Sequence, residues 1–137
     1  MKNVLNKIAK AKRDVKAMDI KKEGRNSYSK YDYFTPSQIE AIVSKVCEDN
    51  DLLTTFDLTW DERSNLSGRL IIWDIDSEEK YICDMATAMP DIKATNAAQQ
   101  LGGCMTYTER YLKMSAFGIT DSNLDFDNSN GLEKKTN

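Results

Sequence analysis

Apolar positions recur at three- and four-residue spacings over residues 3–18, where Val4, Leu5, Ile8, Ala11, Val15 and Met18 fall on one side of a helix. Lys7, Lys10, Lys12, Arg13 and Lys16 take the remaining faces, so the first predicted element is an amphipathic helix with a cationic side. Periodicity then stops. Residues 19–30 include Gly24, Asn26 and Ser27 and read as a loop, mobile or ordered by a ligand. A second helix opens at Thr35, an N-cap followed by Pro36 at the first helical position and by Gln38 as the capping-box partner. Ile39, Ile42, Val43 and Val46 form its core face, and it ends near Asn50.

Beyond that point the period changes to two. Phe56, Leu58 and Trp60 alternate with Thr55, Asp57 and Thr59, and further strands are predicted over residues 66–75 and 80–87, joined by polar turns. Three strands with short connections make an antiparallel meander whose edges are open to pairing with other subunits. Residues 88–94 loop into the longest periodic segment, 96–119, with Thr95 or Asn96 as its cap and Gly118 as its stop. Ala97, Leu101, Met105, Leu112, Ala116 and Ile119 mark the face expected to be buried. Gln99, Gly103, Thr106, Arg110 and Lys113 form a second, polar stripe rich in hydrogen-bond donors. Gly102 and Gly103 interrupt this helix at a cost of about 1 kcal/mol each relative to Ala, which predicts a close neighbour. A packed element is the usual one; a phosphate backbone or a second subunit is the functional alternative. The predicted fold class is α+β, a three-stranded meander packed against a long C-terminal helix and preceded by two helices. One domain is expected over residues 1–119, its first 31 residues a basic helix and loop, followed by a polar tail, 120–137, that is expected to be disordered.

Composition narrows the chemistry. With 137 residues, 40% of them hydrophobic, the chain can bury a core, and no apolar run approaches a membrane span. The first residues carry no short apolar segment with a cleavage site, so an intracellular protein is expected. There is no His in the sequence, which removes the commonest general base and metal ligand together with every Ser–His or Cys–His pair. A non-enzymatic role without cofactor or metal follows as the expectation. Cys47, Cys83 and Cys104 lie far apart within apolar patterns and read as reduced, buried thiols.

Net charge is −3, unevenly spread: residues 1–31 hold ten Lys/Arg against three Asp/Glu, and the remainder holds nine against nineteen. A solvated helix face accounts for such a basic arm; so does an anionic partner. Within the arm Arg25 and Lys30 interleave with Tyr28, Tyr31 and Tyr33. A single-stranded nucleic-acid groove needs that mixture, cations for phosphates and rings for bases at about 1–3 kcal/mol per stacked base. The structural alternative is that the tyrosines seat the loop on the domain. Asp121, Asn123, Asp125 and Asp127 give only a weak likeness to a calcium loop, because Phe126 stands where glycine is required.

Two segments resemble the ERF family of phage single-strand annealing proteins. The first is Asn26-Ser27-Tyr28-Ser29-Lys30-Tyr31-Asp32-Tyr33-Phe34-Thr35, a polar loop and Lys-Tyr pair leading into a helix and then Leu52-Leu53. The second, more specific, runs from Gln99 and Gln100 through Leu101-Gly102-Gly103-Cys104-Met105-Thr106-Tyr107-Thr108-Glu109-Arg110-Tyr111 to Phe117-Gly118-Ile119. The likeness spans roughly residues 1–130. It implies a protein that coats single-stranded DNA and anneals complementary strands during phage recombination without ATP, as rings or filaments, in the host cytoplasm. It also implies a meander backed by a long helix, shared with eukaryotic annealing recombinases. The absence of a GxxxxGK[ST] loop agrees with a mechanism that hydrolyses no nucleotide.

On this reading Lys12, Arg13, Arg25, Lys30, Lys93, Arg110 and Lys113 contact phosphates, Tyr31, Tyr33 and Tyr107 stack bases, and Gln99 and Thr106 hydrogen-bond the backbone. Phosphate contacts position a strand without reading its sequence, which leaves base edges exposed for a complement. Single-stranded DNA, further copies of the chain and a host single-strand-binding protein are the expected partners. Two other classes compete with this reading: a phage protein of the same fold that binds a host protein through its acidic surface, and a metal-dependent nuclease using Asp74, Asp76, Asp84 and tail aspartates.

Overall fold

The computed structural model describes residues 1–28 and 30–120; the tail, with its aspartates, lies outside them. Eight elements follow in order: α1 (Lys2–Ala17), β1 (Gly24–Asn26), β2 (Tyr31–Tyr33), α2 (Pro36–Asp49), β3 (Leu52–Trp60), β4 (Leu66–Asp74), β5 (Lys80–Ala86) and α3 (Ala97–Phe117). β3, β4 and β5 form one antiparallel sheet in sequence order, with Leu70 opposite Phe56 on one side and Cys83 on the other. This is the expected α+β meander with its long C-terminal helix.

Alternation sorts the sheet into two faces. Leu52, Leu70 and Ile72 point into the core, where Val4, Ile8 and Ala11 of α1, Ile39, Ile42, Val43 and Val46 of α2, and Leu112 and Phe117 of α3 meet them. α1 is also fastened electrostatically across the β4–β5 turn: Lys7 Nζ lies 2.7 Å from Asp74 and 2.6 Å from Asp76, and the Met1 amino group lies 2.9 Å from Glu79. Arg69 pairs with Asp84 on the open face of the sheet. The three described aspartates considered as metal ligands, Asp74, Asp76 and Asp84, are therefore in ion pairs, and among the described residues no group of acidic and cysteine side chains could hold a metal.

Both helices that follow loops begin with a capping box. Thr35 accepts from the Gln38 backbone at 3.2 Å while Gln38 accepts from Thr35 N, and Asn96 and Gln99 repeat the arrangement for α3. Asn96, rather than Thr95, is thus the cap. Gln38 does more, because its side chain also accepts from Glu23 N and donates to the Lys21 carbonyl, tying residues 21–23 to the start of α2. At the far end of α3 Gly118 adopts φ +70°, the left-handed stop expected of it.

Two expectations fail. Residues 19–30 are not a structureless loop, because β1 pairs with β2 in register Gly24 to Tyr33, Arg25 to Asp32 and Asn26 to Tyr31. A Cβ on Gly24 would collide with the Tyr33 ring, so this glycine allows the ring to lie across the hairpin. Each strand is only three residues long, too short for alternation to reveal. The buried face of α3 departs from the predicted one in the first half of the helix: Leu112 and Ile119 are buried as expected, but Cys104 and Thr108 face the interior before them, while Leu101 is 41% exposed and Ala97 and Met105 are exposed too. The reason is a close approach at Thr108: a Cβ on Gly68 of β4 would run into its methyl group, and its hydroxyl hydrogen-bonds Thr87 at 2.8 Å.

Candidate nucleic-acid interface

The hairpin and the middle of α3 form opposite walls of a groove of about 760 Å³, with Phe34, Pro36 and Ile39 between them. The hairpin side carries Arg25, Tyr28, Tyr31 and Tyr33; the helix side carries Tyr107, Arg110 and Tyr111. The two segments that bear the sequence resemblance, far apart in the chain, are therefore the two walls of one groove.

Aromatic geometry is well defined on each wall. Tyr31 and Tyr33, two residues apart on one strand, meet edge to face at 6.0 Å between ring centres. Tyr107 and Tyr111, one helical turn apart, lie 4.8 Å apart with their hydroxyls 3.2 Å from each other. Tyr28 at the hairpin tip is 94% exposed and Tyr107 is 56% exposed, so both rings offer a face to a ligand.

The cations differ in availability. Arg110 sits over the Tyr107 ring at 5.6 Å and has no acidic partner in ion-pair range among the described residues. Arg25 Nη1 is 3.0 Å from Asp32, its cross-strand neighbour, with both side chains more than half exposed. Such a surface pair contributes about 0–1 kcal/mol and exchanges readily for a phosphate. Lys30 is exposed in the hairpin turn with φ +56°.

Other predicted contacts are placed elsewhere. Lys113 is turned inward and only 7% exposed, with Nζ 2.8 Å from Glu109 and 3.2 Å from Glu40. Burial alone would lower its pKa, but the two carboxylates outweigh it and hold it above its ordinary value. It is a charged tie between α2 and α3 rather than an open phosphate contact. The Gln99 side-chain oxygen accepts from Asn96 N in the capping box of α3, the Thr106 hydroxyl donates to the Gly102 carbonyl at 2.9 Å, and neither residue lines this groove. Lys93 is exposed in the loop before α3 and does not line the groove. Lys12 lines a separate depression between α1, β5 and α3, and Arg13 is exposed on α1. The structure thus brings together Arg25, Tyr31, Tyr33, Tyr107 and Arg110 from the predicted set, and adds Tyr111, whose signal in the sequence was its four-residue spacing from Tyr107.

Nor do the paired glycines of α3 have the close neighbour predicted for them. A Cβ on Gly102 would meet nothing within 4 Å, and one on Gly103 would make only ordinary contact, 3.5 Å from Ile92 Cδ1.

The fold is a helix-backed antiparallel meander of the α+β class, and its tyrosine-lined groove is bordered by Arg110, which has no ion-pair partner among the described residues. The model of the ERF superfamily matches residues 4–137, and the chain belongs to that superfamily. Membership associates it with phage recombination by strand annealing. Comparison with curated proteins and with solved structures returns no match. Among the described residues no helix is long and apolar enough to cross a membrane.

Proposed function

We propose that this protein binds single-stranded DNA along the tyrosine groove and anneals complementary strands without nucleotide hydrolysis. The observation that carries this reading is the convergence of Tyr31, Tyr33, Tyr107, Tyr111, Arg25 and Arg110 on one open groove built from two distant segments. Rings supply stacking that is indifferent to sequence, and the two arginines supply charge for phosphates. A duplex presents no free base faces to such rings, so single strands are preferred. Two cations give a weak site, and tight binding then comes from several copies on one strand, each adding avidity. The outer edges of β3 and β5, which pair with no strand among the described residues, support self-association by strand addition.

The test is annealing itself. Two complementary oligonucleotides carrying a donor and an acceptor dye are mixed with the full chain in the absence of any nucleotide. Energy transfer rising faster than in the protein-free control is the expected result; an unchanged or slower rise contradicts annealing.

A further inference from the structure

Tyr107 and Arg110 also border a second groove, of about 630 Å³, on the side of α3 away from the hairpin. Pro90 and Ile92, in the loop before α3, form its outer wall, and Gly103 forms its floor. The loop is pinned in place: the Thr95 hydroxyl donates to the Ile92 carbonyl at 2.6 Å, and the Cys104 thiol donates to the Ala88 carbonyl at 3.6 Å. A Cβ on Gly103 would lie 3.5 Å from Ile92 and 3.7 Å from Pro90, so anything larger than a methyl group at this position would occupy the slot.

An aliphatic wall, a tyrosine at the border and a guanidinium at the mouth match a flat, uncharged ring attached to a phosphate. The Thr106 hydroxyl at the border donates to the Gly102 carbonyl, which leaves the slot without a committed donor for reading base edges. Because the slot shares Tyr107 and Arg110 with the tyrosine groove, a strand lying in that groove reaches it without a break. We propose that this slot holds one unstacked nucleobase of the bound strand, of any identity, with Arg110 on an adjoining phosphate. The inference rests on the single-stranded DNA reading and adds a subsite to it. It also gives Gly103 a purpose that packing within the chain does not, since a larger residue would serve the helix better.

The probe is a pair of oligonucleotides of equal length, one with natural bases and one with an abasic backbone, bound by the full chain as wild type, Gly103→Ala and Gly103→Leu. Filling the slot with Leu should weaken binding to the natural strand by about tenfold, the scale of one lost base contact, and leave the abasic strand unaffected. Gly103→Ala should retain wild-type binding, and circular dichroism should show Gly103→Leu at least as helical as the parent. Gly103→Leu binding the natural strand as tightly as wild type, or losing both strands equally, overturns the base slot while the groove stands. Failure of the wild type to bind either strand overturns the groove and the slot together.

Discussion

The guanidinium carbon of Arg110 lies 5.6 Å from the centre of the Tyr107 ring, three residues earlier on the same helix. That pairing holds a cation at the border shared by the tyrosine groove and the slot beyond it, where a strand passing from one to the other would cross. Because Arg110 makes no ion pair among the described residues, its removal should cost binding and not folding. Arg110→Ala is expected to reduce the salt slope for a single strand by about 0.7 with an unchanged melting temperature. Arg110→Lys should restore the slope but not the full affinity, since an ammonium keeps the charge and loses the planar stack on Tyr107.

Lys113 gives the opposite outcome. Its side chain is buried and its ammonium is held by Glu40 of α2 and Glu109 of α3. Lys113→Ala should lower stability by about 1–3 kcal/mol in urea unfolding while leaving the salt slope of strand binding unchanged. A variant that folds as well as the parent but has lost a phosphate's worth of salt dependence would return Lys113 to the interface.

Acid should weaken the attachment of α1. Asp74, 1% exposed, accepts from Lys7, then from the Ser77 hydroxyl and the Asp76 backbone, and these bonds hold its pKa at about 2 against an ordinary 3.8. The folded value is depressed, so the unfolded chain binds more protons between these two values, and the stabilisation is complete above about pH 4 and lost as pH falls toward about 2. Lys7→Met should therefore be less stable than the parent at neutral pH, with a gap that narrows as the solution is acidified. Urea midpoints measured down the series check this; a gap that stays constant contradicts it.

Two glycines of α3 should respond with opposite signs. At Gly102 a Cβ meets nothing, so Gly102→Ala should raise stability by up to about 1 kcal/mol through helix propensity. Gly118 stands at φ +70°, where an L side chain is strained, and Gly118→Ala should lower stability by about 1–2 kcal/mol. Thermal unfolding of both variants reads the two shifts directly.

Much of the fold could be read from spacing. The capping pair Thr35–Gln38, the cap at Thr95 or Asn96, the alternation through Phe56, Leu58 and Trp60, and Gly118 are local signals, and each marks an element that is present. What escaped depends on contacts between distant residues. The hairpin of Arg25 and Asp32 is too short to show a period, and the different buried face in the first half of α3 follows from the seat of Thr108 on Gly68, forty residues earlier in the chain. The same holds for the site. Arg25, Tyr31, Tyr33, Tyr107 and Arg110 were legible as residue types suited to a nucleic-acid strand, whereas Lys113 looked identical to Arg110 until Glu40 of α2 was placed beside it. The Pro90–Ile92 wall became visible only when the loop and helix were brought together.

The most direct measurement is fluorescence anisotropy of a labelled single-stranded oligonucleotide titrated with the full chain across a salt series, beside its duplex and the Arg110→Glu variant. The account predicts binding that prefers the single strand, with a log–log salt slope of about −1.4 per protomer if Arg25 and Arg110 each neutralise a phosphate at about −0.7 apiece. Arg110→Glu should lose most of that binding. Equal affinity for duplex and single strand, or no binding at low salt, would contradict the assignment of this groove to single-stranded DNA.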